Sequence, residues 1–242
     1  MSLAFAAAVA IAATTPVSAD TVSAGSVALT VSPARAVLLA PSSRTLQLSN
    51  LGSERMAVDV AWRSLGRSIP SKGWLSIAPR RLVLRSGARA LLTVRAGAGA
   101  SPGDHHLLVL VTGRPSEPNG IAVRLRVGVR VRIRAPGRLV RKIAVAGLRA
   151  RRFNGKHALL VAVANRGNVT EQLRGRLTVT LVDHDRVISR LRLGRSRELY
   201  PGARAVVVLP YAGRARGVVT AVVGIRLGAR VPPVERRYRL LL

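Results

Sequence analysis

The sequence predicts an all-β protein built of two tandem immunoglobulin-like β-sandwiches, and three observations carry that prediction. Apolar and polar residues alternate along short segments. The clearest is residues 121–134, IAVRLRVGVRVRIR, where Ile121, Val123, Leu125, Val127, Val129, Val131 and Ile133 share one parity. Arg124, Arg126, Arg130, Arg132 and Arg134 share the other. Strand side chains point alternately to opposite faces, so this is an apolar face backed by an arginine face; a helix would scatter the arginines around its girth. Next, turn signals punctuate the chain and no helical period is sustained, the pattern of a sandwich. Finally, the two halves repeat. Asn50 and Asn165 lie 115 positions apart, as do Gly87 and Gly202, and Gly103 and Gly217 lie 114 apart. Three ordered matches at one period argue for duplication of a unit of about 105 residues, the size of an immunoglobulin-like sandwich.

Taken in order, residues 2–13 are apolar and small, and Val17-Ser18-Ala19 precedes Asp20. This predicts a signal peptide over residues 1–19, cleaved after Ala19, although the positive n-region is missing. A linker over 20–26 follows. The first sandwich is expected over 27–135 and the second over 136–242. VALTVSPARAVLL and TLQLSN read as two strands separated by Ala40-Pro41-Ser42-Ser43, and Asn50-Leu51-Gly52-Ser53 as a turn. Met56, Val58, Val60 and Trp62 mark a half-buried strand, 66–73 a polar loop, and RLVL and ALLTVRA two strands around Arg85-Ser86-Gly87-Ala88. HHLLVLVTG, the 115–120 loop and the arginine strand complete this half. At ~3.3 Å per residue, fourteen residues from Ile121 would span roughly 46 Å, so the strand is expected either to bend, at Gly128, or to run out of one domain toward the next. Ala135-Pro136-Gly137 stops the strand. In the second half ALLVAVANRGN, SRELYPGARAVVVLP and GVVTAVVGIRLG repeat first-half segments, and RLTVTLVDHDRVISRLRL is a hairpin around Asp183-His184-Asp185.

Composition bounds the chemistry. Hydrophobic residues are 48% but aromatics only 3%, so the cores are aliphatic. Zero cysteines exclude disulfides, thiol nucleophiles and cysteine metal sites. The formal charge is +30, from 40 Lys+Arg against 10 Asp+Glu, with Lys72, Lys142 and Lys156 the only lysines. Compositional drift toward arginine accounts for such a surface as readily as function does, yet either way it attracts polyanions. No segment after the leader stays uncharged long enough to cross a bilayer, so the mature chain is expected to be exported without a transmembrane helix.

LTVSPARAVLLAPSSRTLQLSNLGS, the later LVLRSGARALLTV and a long terminal strand leading into a second sandwich resemble the PapD-like superfamily. VANRGN, the hairpin, LYPGARAVV and the closing strands are similar to the second domain of bacterial surface proteins that bind WxL proteins and peptidoglycan. The second resemblance implies a non-enzymatic cell-envelope protein that binds surface proteins or anionic wall polymer. The first implies a periplasmic chaperone that donates a strand to a surface or pilus subunit, with a basic pair holding the subunit's C-terminal carboxylate; the matching positions are Arg35 and one of Arg130 or Arg132. An unpaired edge exposing Val127, Val129 and Val131 would favour the chaperone, and a fully covered apolar face the surface protein.

Other sites are weaker. Asp104-His105-His106 offers metal-ligand types, but strand neighbours point apart, and a turn entering a strand accounts for it. Asp183-His184-Asp185 reads as a polar hairpin tip, and Asn168-Val169-Thr170 as an incidental match to a glycosylation acceptor. No nucleophile elbow, phosphate loop or carboxylate pair is present, so no enzyme and no cofactor is expected. Arginines two apart lie ~7 Å from each other and repel by roughly 0.6 kcal/mol in water-like dielectric, so their face must be wet or meet anions. Arg124, Arg126, Arg130, Arg132 and Arg134 are therefore the candidate polyanion stripe, expected to act together. Export and the scarcity of aromatics for stacking argue against nucleic acid.

Overall fold

The computed structural model describes residues 26–66, 73–117, 123–153, 156–213, 217–229 and 231–242. The expected signal peptide, nearly all of the linker, most of the 66–73 loop and Ile121 lie outside these residues. No helix occurs among the described residues, and none there is long and apolar enough to cross a membrane.

The first half forms β1 (Leu29–Ser32), β2 (Arg35–Leu39), β3 (Ser42–Asn50), β4 (Met56–Ser64), β5 (Leu75–Ala78), β6 (Arg81–Leu84), β7 (Arg89–Ala96), β8 (Gly103–Pro115) and β9 (Leu125–Ala135). One sheet runs β1-β3-β7-β5 and the other β2-β9-β8-β4-β6. Their inner faces enclose an aliphatic core that includes Leu46, Leu48, Leu92, Val109, Val129 and Ile133, all without solvent exposure. Trp74 is buried in this core and Trp62 packs at its margin.

Three expectations are corrected here. VALTVSPARAVLL is not one strand: β1 pairs with β3 in one sheet, while β2 pairs in parallel with β9 in the other. Pro33 lies between them and has no N–H to continue a ladder, so the chain changes sheets there. The arginine strand begins at Leu125, not Ile121, and Val123 is 40% exposed rather than core. It needs no bend at Gly128, because its ladder with β8 runs in unbroken register from Gly103↔Ala135 to Gly113↔Leu125. Gly128 instead makes room for Leu108, whose Cδ1 lies 3.1 Å from where a Cβ would stand.

The second half forms β10 (Ile143–Phe153), β11 (Lys156–Asn165), β12 (Glu171–Gln172), β13 (Leu177–Asp183), β14 (Arg186–Arg192), β15 (Glu198–Leu199), β16 (Arg204–Tyr211), β17 (Val218–Ile225) and β18 (Val234–Leu241). Sheets β10-β11-β16 and β14-β13-β17-β18 enclose a second core around Leu159, Val161, Leu177, Val179, Val223 and Ile225, with β12-β15 as a two-stranded ribbon. Tyr211 is buried in this core and Tyr238 packs against it. The β13–β14 hairpin turns at His184 and Asp185, both at positive φ (43° and 62°), as a tight two-residue hairpin of right-handed twist requires.

The duplication extends to individual bonds. Buried Asn50 donates to the Glu54, Leu84 and Arg85 carbonyls (2.7, 3.3 and 3.1 Å) and accepts from Gly52 N–H (3.0 Å). Buried Asn165 donates to the Val169 and Leu199 carbonyls (2.7 and 2.9 Å) and accepts from Gly167 N–H (2.9 Å). A Cβ on Gly52 or Gly167 would stand 2.2 or 2.1 Å from the Ser26 or Val140 carbonyl oxygen, so both turns need glycine. Each asparagine ties its turn to the opposite turn at Gly87 (φ 68°) or Gly202 (φ 71°).

Candidate functional site

The predicted basic pair comes together. In the parallel β2–β9 ladder Arg35 is the register partner of Arg130, and the Arg130 N–H donates to the Ala34 carbonyl (3.2 Å). Register partners share a face, so both guanidinium groups project from the outer face of the five-stranded sheet. There they line a cavity of about 520 Å³ between the two sandwiches, whose other side is the Ser196–Ala205 segment. That segment is held by the ribbon: Gln172 donates to Ser196 Oγ (2.9 Å) and accepts from the Arg197 N–H (3.0 Å), while the Tyr200–Ala203 turn closes at 3.0 Å. It brings Arg197, Glu198 and Arg204 to the same cavity. A smaller lobe of about 170 Å³ adjoins it, lined by Arg35, Arg130, Val37, Leu65, His106 and Tyr200 among others.

The five arginines of the stripe do not share one environment. Arg132 and Arg134 converge on Asp104, which faces them from β8: Arg132 Nη2 donates to Oδ2 (2.8 Å), and Arg134 donates through Nε to Oδ1 (2.7 Å) and Nη2 to Oδ2 (3.0 Å). The Thr170 N–H, from the second sandwich, also donates to Asp104 (2.8 Å). Burial alone would raise the Asp104 pKa, but the bonds from Arg134, Thr170 and Arg132 together outweigh it and hold the carboxyl well below the usual range. The same carboxylate raises Arg134. Behind it, buried Glu171 accepts a two-pronged bond from Arg141 (2.7 and 2.7 Å), with Arg176 at 3.5 Å. Each ion-pair cluster lies within one sandwich, and the joint itself is crossed by the Thr170 N–H bond to Asp104 and by the Asp104 N–H bond to the Asn168 carbonyl (2.7 Å). Arg124 and Arg126 remain exposed near the free end of β9, Arg126 within 3.4 Å of Thr112 Oγ1.

Asp104-His105-His106 proves to be part of this joint rather than a simple turn. Asp104 and His106 face the second sandwich, while the His105 ring meets Trp74 at 4.9 Å on the core side. Among the described residues no cluster of three metal-ligand types occurs. His106 stacks on Tyr200 (ring centres 4.0 Å, 19° between planes) and hydrogen-bonds Thr170 Oγ1. Burial, helped by the Arg132 and His105 charges and opposed by Asp104, pushes His106 down to about 4. An unfolded histidine titrates near 6.5, so between pH ~6.5 and ~4 the unfolded chain takes up a proton that the folded chain refuses. Stability should therefore fall through that window, by about 2 kcal/mol after discounting for partial exposure. Urea midpoints from pH 7 to pH 4 check this, and His106→Gln should flatten the dependence.

Asn168 serves the joint as well. It donates to the Pro102 and Arg138 carbonyls (2.9 Å each) and accepts from the Val140 N–H (2.6 Å), so its amide is fully committed and does not resemble a free sugar acceptor.

On its β2 side, β9 is paired only over Arg130–Arg134, so the edge over Leu125–Val129 carries no strand among the described residues. Val129 and Val131 are buried in the protein's own core and Val127 is half-buried. The two diagnostic features thus separate: the backbone edge is open, whereas the apolar face is covered.

No family model matches the chain, and no curated protein matches it. Solved structures do. A chain of a chaperone–tip adhesin complex of CFA/I fimbriae biogenesis is similar over 87% of this chain and 98% of its own, at 12% identity and a TM-score of 0.51. The class 5 fimbriae chaperone CfaA is similar over 89% of this chain and 100% of its own, also at 12% identity and 0.51. The fold is PapD-like. In this fold β1 and β2 divide between the two sheets of the first sandwich, and Arg35 and Arg130 line the cavity shared with the second. Sequence reasoning missed Arg197, Glu198, Arg204 and the part played by Asp104.

Proposed function

We propose that this chain is an exported, non-enzymatic chaperone-like protein of the cell envelope. It holds a partner subunit by adding the partner's terminal strand to the open edge at Leu125–Val129 and by receiving its C-terminal carboxylate between Arg35 and Arg130. We further propose cleavage after Ala19 and two domains meeting near Pro136. The observation that carries the reading is the adjacency of Arg35 and Arg130 in a cavity at the end of an unpaired strand edge. The fold likeness supports it. Backbone pairing along such an edge supplies affinity, and a charge-assisted contact to each arginine adds ~1.5–3 kcal/mol.

The test replaces Arg35 and Arg130 by serine together. Both are exposed, so folding should change by no more than ~0.5 kcal/mol each. Binding of a β-sandwich subunit with a free C-terminal strand should weaken on the order of 100-fold. Unchanged binding rejects the reading. The alternative, a WxL-interacting or wall-polymer-binding surface protein, rests on exposed Arg124 and Arg126. It predicts instead that serine at those two positions weakens binding to isolated anionic wall and flattens its dependence on salt.

A further inference from the structure

The large lobe of the joint cavity holds more positive charge than one chain terminus can match. Arg35 and Arg130 enter from the first sandwich, Arg197 and Arg204 from the second, and Glu198 is the one acid among the lining residues. Among the described residues, none of these four guanidinium groups forms an ion pair or a side-chain hydrogen bond. The contrast with the joint is sharp. There, Asp104 and Glu171 are each fully buried and each draws two arginines. Acids are scarce in this chain, 10 against 40 basic residues, and the joint uses two of them while the cavity keeps a surplus of three positive charges.

Four guanidinium groups facing one space repel, and a bound anion relieves that repulsion. A terminal carboxylate has two oxygens and is matched by Arg35 and Arg130. Arg197 and Arg204 are then left for a second anionic group on the same ligand. A space of about 520 Å³ is roughly 8 Å across, and an extended chain rises ~3.3 Å per residue, so the cavity takes the last two or three residues of a chain.

We propose that this cavity selects a partner subunit with an aspartate or glutamate within its last three residues. The terminal carboxylate sits on Arg35 and Arg130, and the acidic side chain sits on Arg197 and Arg204. This rests on the chaperone-like reading above, whose basic pair it extends to a four-arginine site spanning both sandwiches.

The test measures binding of the mature protein to peptides of about twelve residues with alternating valine and threonine, the pattern of an edge-adding strand. One peptide ends with an aspartate third from a free carboxyl terminus. A second has serine there, a third is the serine peptide with an amidated end, and a fourth carries its aspartate near the N-terminus. The first should bind about tenfold tighter than the second and fourth, and the second tighter than the third. Arg197→Ser with Arg204→Ser should remove the aspartate preference and leave the free-acid preference; lysine at both positions should restore part of it. Equal binding of the aspartate and serine peptides overturns the proposal while the free-acid preference keeps the chaperone-like reading standing. An aspartate preference that survives the double serine variant also overturns it. If free-acid and amidated peptides bind alike, and Arg35→Ser with Arg130→Ser changes nothing, the underlying reading fails and takes this one with it.

Discussion

Replacing Asp104 by alanine should destabilise the protein by about 2–3 kcal/mol, measured as a shift in the urea midpoint at pH 7. The carboxylate has no solvent exposure and accepts from Arg132, Arg134 and the Thr170 N–H. Removing one member of a buried pair costs ~3–5 kcal/mol, and the partial exposure of the two arginines, 35% and 34%, lowers that figure. The loss has two parts: Arg132 and Arg134 are left side by side with no counter-charge, and a backbone donor of the second sandwich loses its acceptor. Asp104→Asn, which keeps the shape and an acceptor oxygen, should cost less. Because the folded carboxyl pKa is depressed, this contribution is complete above the unfolded value of ~3.9 and is lost as pH falls below it. A midpoint unchanged by Asp104→Ala would show that the joint does not depend on this ion pair.

Asn50→Ala and Asn165→Ala should each cost about 3 kcal/mol, because each strips partners from at least three buried or half-buried backbone groups at roughly 1 kcal/mol apiece. The two changes should act on different halves. Amide hydrogen exchange should accelerate in β3, β4 and β7 for Asn50→Ala, and in β11 and β16 for Asn165→Ala, with the other half protected to the extent that the joint holds. Uniform acceleration in both variants would mean that the two sandwiches unfold as a single cooperative unit.

How far the sequence could be read follows from how local each signal is. Period-two alternation is visible within one strand, so the all-β class and most strands were legible. The 115-residue repeat was legible because Asn50 and Asn165 perform one bonding role in two places. Arg35 beside Arg130 was legible only through the PapD-like resemblance. Asp104 escaped because its meaning depends on pairing: the antiparallel ladder of β8 with β9 puts it opposite Arg134, and only that register turns a row of like charges into an ion-pair cluster. Reading Asp104-His105-His106 along the strand puts neighbours on opposite faces, Asp104 and His106 on one and His105 on the other, which is correct but does not show what the shared face meets. Arg197 and Arg204 escaped for a stronger reason. They meet Arg35 and Arg130 only through the packing of one sandwich on the other, which no repeat within the chain encodes.

The uneven placement of the aromatic rings makes the two halves optically distinct. Both tryptophans belong to the first sandwich, Trp74 sealed in its core and Trp62 at its margin, while all three tyrosines lie in the second half. Emission excited at the red edge of the indole band therefore watches the N-terminal half alone, without labels or engineered probes, whereas far-ultraviolet dichroism sums both. A difference between the two unfolding curves measures, in the native sequence, how much of each half's stability is borrowed from the other.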